Sequence, residues 1–525
     1  MGGLDLAAQF ERRVDEHPDR ECLILGERRL TYEQVYAEAE ALGAALSSLG
    51  VGPGDCIAVD LPNWPEWIVT LLATARIGAV LVPVNPSLSY HELKYQLRHG
   101  EVSICIVPQQ YDELDYAELF DDMAEELPDL RQVITVGSED QWSGGVVVSY
   151  GELLSRGKRA AETVVSADLD PAEAPLAIIY TPGTQGKPKG VVLTHENLLW
   201  TAVETSQSLG LTAEDRVFGG VPLFTVFGVH MVISTIMAGG TIVLQARFNP
   251  VSALEIIERE SLTVVHGVPT MFQLIMRVSS FSDRDLSNVR TGIVAGSPVS
   301  AELVRSIRSW NDVQIAYGLT ETGPTVAITR FEDPAFERET TVGRVLDGVD
   351  VKIVDEQSAH AEDGSPVGQL AVRGPNVMKG YYRMPQETKK SFTSDGYFLT
   401  GDLGSIGPGG FLTIVGRSNE MIIRGGYNIF PREIEDVSRL HPAVDHVCVV
   451  GVPNEILGEM VCACVVPVEG AIVTGEEIRE FVGEHLTAYK VPDVIRFVDQ
   501  LPLNDDGTVD RKELRKTMEM ETSKK

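Results

Sequence analysis

Residues 180–191 read YTPGTQGKPKGV, and the apolar run LAIIY at 176–180 empties directly into them. The run is β-branched and apolar enough for a buried strand, and the loop beyond it is made of Gly, Thr, Pro, Gln and Lys. Gly183, Gly186 and Gly190 remove side chains, so that backbone N–H groups can converge on an anion. Thr181 and Thr184 add hydroxyls, and Lys187 and Lys189 add charge. The spacing is not that of a G-x-x-x-x-G-K-[ST] loop, because Lys-Pro comes after the second glycine and the next segment, VVLTH, reads as another strand instead of a helix. The stretch predicts a hairpin-like phosphate clamp; the same residues also suit an ordinary Gly/Pro surface turn.

Outward from this loop, helix-period segments alternate with short β-branched runs. YEQVYAEAEALGAALSSLG, CIAVDLP, EWIVTLLATARIG and AVLVPVN precede it; RVFGGVPLF, GGTIVLQA, NVRTGIVAGSPV and QIAYGLTET lie beyond it, with helices between. This alternation predicts α/β layering around a largely parallel sheet. From about residue 342 short strands such as DVKIVD and GQLAVRGP are separated by Gly and Asp turns, which predicts a small barrel-like β subdomain. After Gly416 the order is strand, loop, helix, strand, strand, helix.

The 525 residues, 43% hydrophobic and 23% charged, suffice for roughly two to four structural units. A net charge of −32 argues against a nucleic-acid partner or an anionic membrane. An anionic substrate would therefore depend on a few placed cations, and the chain holds only 13 Lys beside 31 Arg. Cys22, Cys56, Cys105, Cys448, Cys462 and Cys464 have no metal-ligand or disulfide-framework spacing; Cys462 and Cys464 alternate on one strand face and suit core packing. The start, MGGLDLAAQFERR, lacks the pattern of a secretory signal, so the cytoplasm is expected. WIVTLLATARIGAVLVPV, from Trp67, is broken by Arg76 and Pro83 and reads as buried helix, loop and strand, with no membrane span.

YTPGTQGKPKG, then YGLTET at 317–322, TGD at 400–402 and GRSNEMIIRGGYN at 416–428 resemble, in this order, the adenylate-forming superfamily of acyl-CoA synthetases, luciferases and adenylation domains. LPNWPEW and GAVLVPVNP near the start, and FPREIED, AYKVPD and LPLNDDGTVDRKELR near the end, extend the resemblance over nearly the whole chain. It implies an α/β fold with a large N-terminal AMP-binding domain over 1–416 (342–416 its β subdomain), a hinge at 417–420 and a small mobile α+β closing domain over 421–525. The implied chemistry is a two-step ligation using ATP, Mg²⁺ and coenzyme A. A carboxylate attacks the α-phosphate to give an acyl-adenylate and pyrophosphate, and a thiol then displaces AMP. Such a reaction needs positioning and charge stabilisation instead of a protein nucleophile; His195, His230 and His266 have no partner spacing that recommends them for catalysis.

The resemblance also assigns residues. Tyr317 would face adenine, with Gly318 beside it; Thr320 would bond the α-phosphate and Glu321 hold Mg²⁺. Gly296, Ser297 and Pro298 would line the other side of the adenine. Asp402 would grip the ribose hydroxyls and Arg417 reach the ribose or phosphate. Asn419 stands at the hinge, where Asp or Lys is usual, and Gly425, Gly426 and Tyr427 would line the coenzyme A tunnel. Phe227, Val229, Val268, Met271, Gly323 and Val326 are acyl-pocket candidates, and since none is charged an apolar acid is favoured over an amino acid. Expected partners are that small acid and coenzyme A; a homodimer is left open.

Departures fall on the chemistry. Pro182 and Gln185 replace a Ser and a Thr in the phosphate loop, and Thr225 stands where related sequences carry a gating histidine. Thr508 occupies the position of the lysine that bridges carboxylate and α-phosphate, with Asp505 and Asp506 beside it and Lys512 nearby. Loss of one such charge costs on the order of a hundred- to a thousandfold in rate. Three classes remain: an acyl-CoA ligase, an adenylate-forming enzyme with another acceptor (amine, carrier thiol or hydroxyl), and a nucleotide- or acyl-binding protein without catalysis.

Overall fold

The structure is a computed structural model that describes residues 5–111, 114–137, 147–160, 167–181, 187–354, 364–418, 420–424, 427–454, 457–486, 488–504 and 508–522, with 117, 121, 160, 427, 428, 521 and 522 described by backbone alone. The chain packs as two compact units. The first comprises Met1–Asp333, Leu346–Asp350 and Arg373–Gly396; the second comprises Pro334–Val345, Val351–Val372 and Tyr397–Lys525. Residues 417–420 thus belong to the second unit together with the strands that precede them.

In the first unit an eight-stranded sheet runs, edge to edge, Gly380–Tyr381, Lys189–Thr194, Pro175–Thr181, Val80–Pro83, Cys56–Val59, Val102–Pro108, Gln132–Val136 and Val147–Ser149. From Pro175–Thr181 onward the neighbours are parallel, as the βα alternation predicts, and only the Lys189–Thr194 strand runs antiparallel to both of its neighbours. A five-stranded sheet carries Glu21–Leu25, Thr241–Leu244, Arg216–Gly219 and Val264–Val265 in parallel, with Arg28–Thr31 antiparallel at its edge. The apolar stretch from Trp67 is indeed helix, turn and strand: Pro65–Ile77 is buried nearly all round, Gly78 closes it at φ +71°, and Val80–Pro83 continues into the sheet. VVLTH is strand only as far as Thr194. The Thr194 hydroxyl accepts from the Asn197 N–H and the Asn197 side chain returns the bond, so this capping box starts the helix His195–Leu209 at once.

In the second unit, Asp350–Val354, Gly368–Arg373, Phe398–Ile406 and Leu412–Arg417 form a four-stranded sheet whose last three members are antiparallel, where the Gly- and Asp-punctuated texture implies a β subdomain. Beyond it, Val444–Asn454 and Gly458–Pro467 make a long antiparallel hairpin joined by Val494–Phe497 and Ile422–Arg424, with helices Pro431–Arg439, Gly475–His485 and Arg511–Thr522 completing the α+β piece. Cys448, Cys462 and Cys464 pack with Leu514 and Met518, and all six cysteines are buried and free, as core packing requires.

Asp60, just after the Cys56–Val59 strand, is buried with its Oδ1 unpartnered, and burial pushes its carboxyl up to about 7. A folded-state value raised above the ordinary 3.8 means that the folded state tolerates the acid form and is penalised as pH rises through 7. The penalty is absent below the unfolded value and complete above the folded one, on the order of a few kcal/mol. Asp60→Leu should therefore stabilise the protein more at pH 8 than at pH 5 in urea unfolding; an equal difference at both pH values contradicts the assignment.

Candidate active site

The strands Pro175–Thr181 and Lys189–Thr194 pair with Ile179 opposite Val191, Tyr180 opposite Gly190 and Thr181 opposite Lys189. The sequence's hairpin is therefore present up to its mouth; Pro182, Gly183, Thr184, Gln185 and Gly186 lie outside the described residues. Gly190 is required by the pairing, since a Cβ there would stand 2.8 Å from Ile178 Cγ2 and 3.2 Å from Tyr180 Cζ. The same register lays Val191 against Tyr381 on the other edge. Lys189 Nζ consequently sits 4.7 Å from the centroid of the Tyr381 ring and 3.6 Å from Glu387 Oε2. Tyr381 Oη donates to Glu321 Oε1 at 2.9 Å, and burial together with that carboxylate pushes the phenol well above its ordinary range. Lys189, Tyr381 and Glu321 thus form one line of contacts, in which Tyr381 is the member that motif reading missed.

Thr320 and Glu321 stand on a short turn, Thr320–Thr322, after the strand Val313–Gly318. Gly318 allows the chain to fold back, because a Cβ there would lie 1.7 Å from Pro324 O. Thr322 Oγ1 accepts from the Leu319 N–H at 2.9 Å, and buried Asn376 donates to Thr322 O and Thr325 O, both at 3.2 Å. Asn197 donates to Pro375 O and Val377 O at 2.7 and 3.1 Å, tying the Asn376 segment to the helix that comes after the hairpin. Gly323 adopts φ +60°, and its added Cβ would meet Asn376 O at 3.0 Å and Asn197 O at 3.2 Å, so this acyl-pocket candidate is also the close-packed end of the turn. The sequence offered a signal for both asparagines: amides in THENLL and RGPNVM, beside apolar runs where their valences have to be met.

Tyr317 lies on the strand, opposite Ala327, one residue before Gly318. Gly296 takes φ +88° in the turn carrying Ser297 and Pro298, and its added Cβ would lie 3.1 Å from Val268 Cγ1, so the turn expected to line the adenine and one acyl candidate are neighbours. Phe227 packs into a cluster with Ile293, Ile328 and Leu346, its ring 6.2 Å from that of His266. Val229 and Val326 are wholly buried and Met271 is nearly so. Thr225 caps the helix Val226–Ala238, accepting from the Gly228 N–H at 3.1 Å and donating to Pro222 O at 2.8 Å, a structural task at the position where the resemblance leads one to expect a histidine. His195, His230 and His266 are buried, and burial lowers them to about 4, 4 and 3. As neutral core groups they fit a reaction without a histidine base.

In the second unit Asp402 pairs with Arg417 across adjacent strands, Oδ1 to Nε at 3.1 Å, and the carboxylate is buried while the guanidinium is exposed. Asn419, Gly425 and Gly426, and the side chain of Tyr427, lie outside the described residues, as do Asp505 and Asp506. Thr508 is held by Asn504: the Asn504 N–H donates to Thr508 O at 2.7 Å and Asn504 Nδ2 to its hydroxyl at 2.9 Å. Three residues on, Arg511 bonds buried Glu435 through both terminal nitrogens at 2.7 and 2.9 Å, and also donates to Val449 O at 2.8 Å. Burial opposes ionisation of Glu435, but Arg511 outweighs it and holds the carboxyl below its usual range. Lys512 is exposed on the helix Arg511–Thr522.

Among the described residues no three His, Cys, Asp or Glu side chains gather as a metal cage. A carboxylate whose hydrogen-bond partner is a neutral phenol nonetheless suits Mg²⁺, which keeps several waters and takes phosphate oxygens. Glu321 would hold it, and the bound ion would neutralise phosphate charge.

The chain matches the family described as AMP-binding enzyme over residues 10–382 and the AMP-binding enzyme C-terminal domain over 433–508. It is 35% identical to a putative acyl-CoA synthetase, YngI, of Bacillus subtilis (strain 168), covering 97% of this chain and 96% of that protein. It is 34% identical to the mitochondrial medium-chain acyl-CoA ligase ACSF2 of Mus musculus, covering 97% and 87%. Its fold superposes on the crystal structure of ATP-bound MatB from Rhodopseudomonas palustris with a TM-score of 0.85 at 28% identity, covering 98% and 99%. The class defined by the fold is therefore that of the adenylate-forming enzymes, with a large N-terminal and a small C-terminal domain. The chain belongs to the AMP-binding enzyme family.

If Asp402 meets ribose hydroxyls, Asp402→Ala should weaken AMP binding about ten- to a hundredfold, as expected for loss of charge-assisted hydrogen bonds. Calorimetry on parent and variant measures this, and equal affinities refute the ribose role.

Proposed function

We propose that this protein is an AMP-forming acyl-CoA synthetase that activates an apolar carboxylic acid with ATP and transfers the acyl group to coenzyme A. The observation that carries the reading is the line from Lys189 through Tyr381 to Glu321 at the mouth of the Gly- and Thr-rich hairpin, a cation and a carboxylate held beside a loop whose composition suits phosphate. Full-length relatives named acyl-CoA synthetase and ligase support the same activity.

In the first step an oxygen of the substrate carboxylate forms a bond to the α-phosphorus as the bond to the bridging oxygen breaks, releasing pyrophosphate. Lys189 and the hairpin backbone N–H groups offset charge on the phosphates, and Thr320 bonds the α-phosphate. In the second step the thiol sulfur of coenzyme A attacks the acyl carbon, its proton leaves, and AMP departs with the C–O electron pair. Asp402 and Arg417 hold the ribose, and the residues around Phe227, Val268 and Met271 receive an uncharged acyl group. A closing domain over 421–525 turning at 417–420 would present Gly425 and Gly426 to the pantetheine arm.

Thr508 favours a second reading, adenylation with a weak first step or with an acceptor other than coenzyme A. Its hydroxyl is bonded by Asn504, and no positive charge stands at that position. Mass spectrometry of ATP, Mg²⁺ and an acid library with and without coenzyme A decides among the classes: thioester supports the synthetase, adenylate alone the other acceptor, neither a binding protein. Thr508→Lys should raise pyrophosphate release at least about tenfold while leaving thiolysis of supplied acyl-adenylate within about twofold, because a bridging charge acts only in the first step. No gain with an acid that the parent binds contradicts the missing-charge account.

A further inference from the structure

The segment 376–382 grips the Thr320–Thr322 turn at successive residues. Buried Asn376 donates to Thr322 O at 3.2 Å, the Met378 N–H donates to Glu321 O at 2.9 Å, and Tyr381 Oη donates to Glu321 Oε1 at 2.9 Å. The first two bonds fix the backbone of the turn. The third acts on the carboxylate itself, at an oxygen that a cation could otherwise use.

Tyr381 has little freedom to leave that oxygen. It lies opposite Val191 in the sheet, its N–H donates to Thr388 Oγ1 at 2.9 Å, and the Thr388 hydroxyl donates in turn to Met384 O at 3.0 Å. Gly380, one residue earlier, takes φ +146°, and a Cβ there would stand 2.7 Å from Thr388 Cγ2, so Thr388 packs directly against this strand. The Tyr381 ring is almost wholly buried, with Lys189 Nζ 4.7 Å from its centroid.

A carboxylate that accepts a hydrogen bond at one oxygen presents chiefly the other to a cation. Mg²⁺ needs no more, since it is small, keeps several waters and is bound through one or two carboxylates together with phosphate oxygens. Ca²⁺ is larger, gathers about six to eight oxygens and often takes both oxygens of one carboxylate. For Glu321 to chelate Ca²⁺ with both oxygens, the Tyr381 bond would have to be given up, and a part-buried phenol O–H would lose its acceptor.

We propose that Tyr381 is a positioning residue that fixes Glu321 to offer a single oxygen and thereby makes the nucleotide site prefer Mg²⁺ to Ca²⁺. This rests on the reading of Glu321 as the residue that would hold the metal beside ATP. Its signature is a change of metal preference, which a loss of packing alone does not produce.

The test measures ATP binding to the whole protein by calorimetry in Mg²⁺, in Ca²⁺ and in EDTA, beside pyrophosphate release by the parent. The parent should bind ATP more tightly in Mg²⁺ than in Ca²⁺. Tyr381→Phe, which removes one hydroxyl and keeps the ring, should weaken binding in Mg²⁺ about five- to tenfold, as for loss of one hydrogen bond, and leave binding in Ca²⁺ and in EDTA within about twofold. Glu321→Gln should remove the gain that Mg²⁺ gives over EDTA, and adding Tyr381→Phe to it should cost nothing further, because both act through one carboxylate. Equal losses in Mg²⁺, Ca²⁺ and EDTA mean that Tyr381 serves packing alone and overturn the proposal. Unchanged binding in Mg²⁺, a Mg²⁺ gain that survives Glu321→Gln, or a parent that binds no ATP overturns it as well. If the parent releases no pyrophosphate with any acid yet its preference for Mg²⁺ depends on Tyr381, the synthetase reading fails and this one stands; pyrophosphate release with a metal preference indifferent to Tyr381 gives the reverse.

Discussion

The register of one antiparallel strand governs the candidate site. Lys189–Thr194 is bonded to Pro175–Thr181 on one edge and to Gly380–Tyr381 on the other, so its alignment sets at once where the hairpin opens, where Lys189 points and which residue lies beside it. A slip by one residue would turn every side chain of the strand to the opposite face. Gly190 guards against such a slip, since a Cβ at that step would have to displace the Ile178 side chain, 2.8 Å away. The Lys189–Tyr381–Glu321 line depends on this alignment.

Around it, neutral amides do the fastening. Asn376 bonds the carbonyl of Thr322, 54 positions away, and Asn197 bonds that of Pro375, 178 positions away, so the Thr320–Thr322 turn and the segment leading to Tyr381 are joined without buried net charge. In a chain with a net charge of −32 this adds no further carboxylate beside the hairpin, where Lys189 already stands 3.6 Å from Glu387. The second unit uses a different device. The buried Glu435–Arg511 pair, satisfied further by Val449, anchors the chain three residues after Thr508. Removing one partner of such a pair costs about 3–5 kcal/mol, whereas the Asn504 amide on the Thr508 hydroxyl is a partly exposed contact that constrains the position far less.

Much of this was legible in the sequence, for identifiable reasons. Gly, Thr, Pro and Lys in 180–191 carry their meaning locally, through permitted backbone angles and hydrogen-bonding capacity, and YGLTET and TGD do likewise. The stretch from Trp67 is legible as helix, turn and strand because Arg76 and Pro83 punctuate it. What was not legible depends on contacts distant in sequence. Tyr381 is one of two tyrosines in KGYY, and only the sheet edge selects it as the residue between Lys189 and Glu321. Glu435 and Arg511 read as ordinary polar residues until burial shows that their partners are obligatory. The strand in VVLTH ends one residue early because a capping box at Thr194 outweighs strand propensity.

The hairpin strands and the Thr320–Thr322 turn are expected to face one phosphate position. A crystal structure with a sulfamoyl analogue of an apolar acyl-adenylate measures this most directly. The sulfamoyl group should lie within hydrogen-bonding distance of Thr320 and of the 181–189 hairpin, with Lys189 and Glu321 flanking it. A sulfamoyl group bound away from both segments would contradict it.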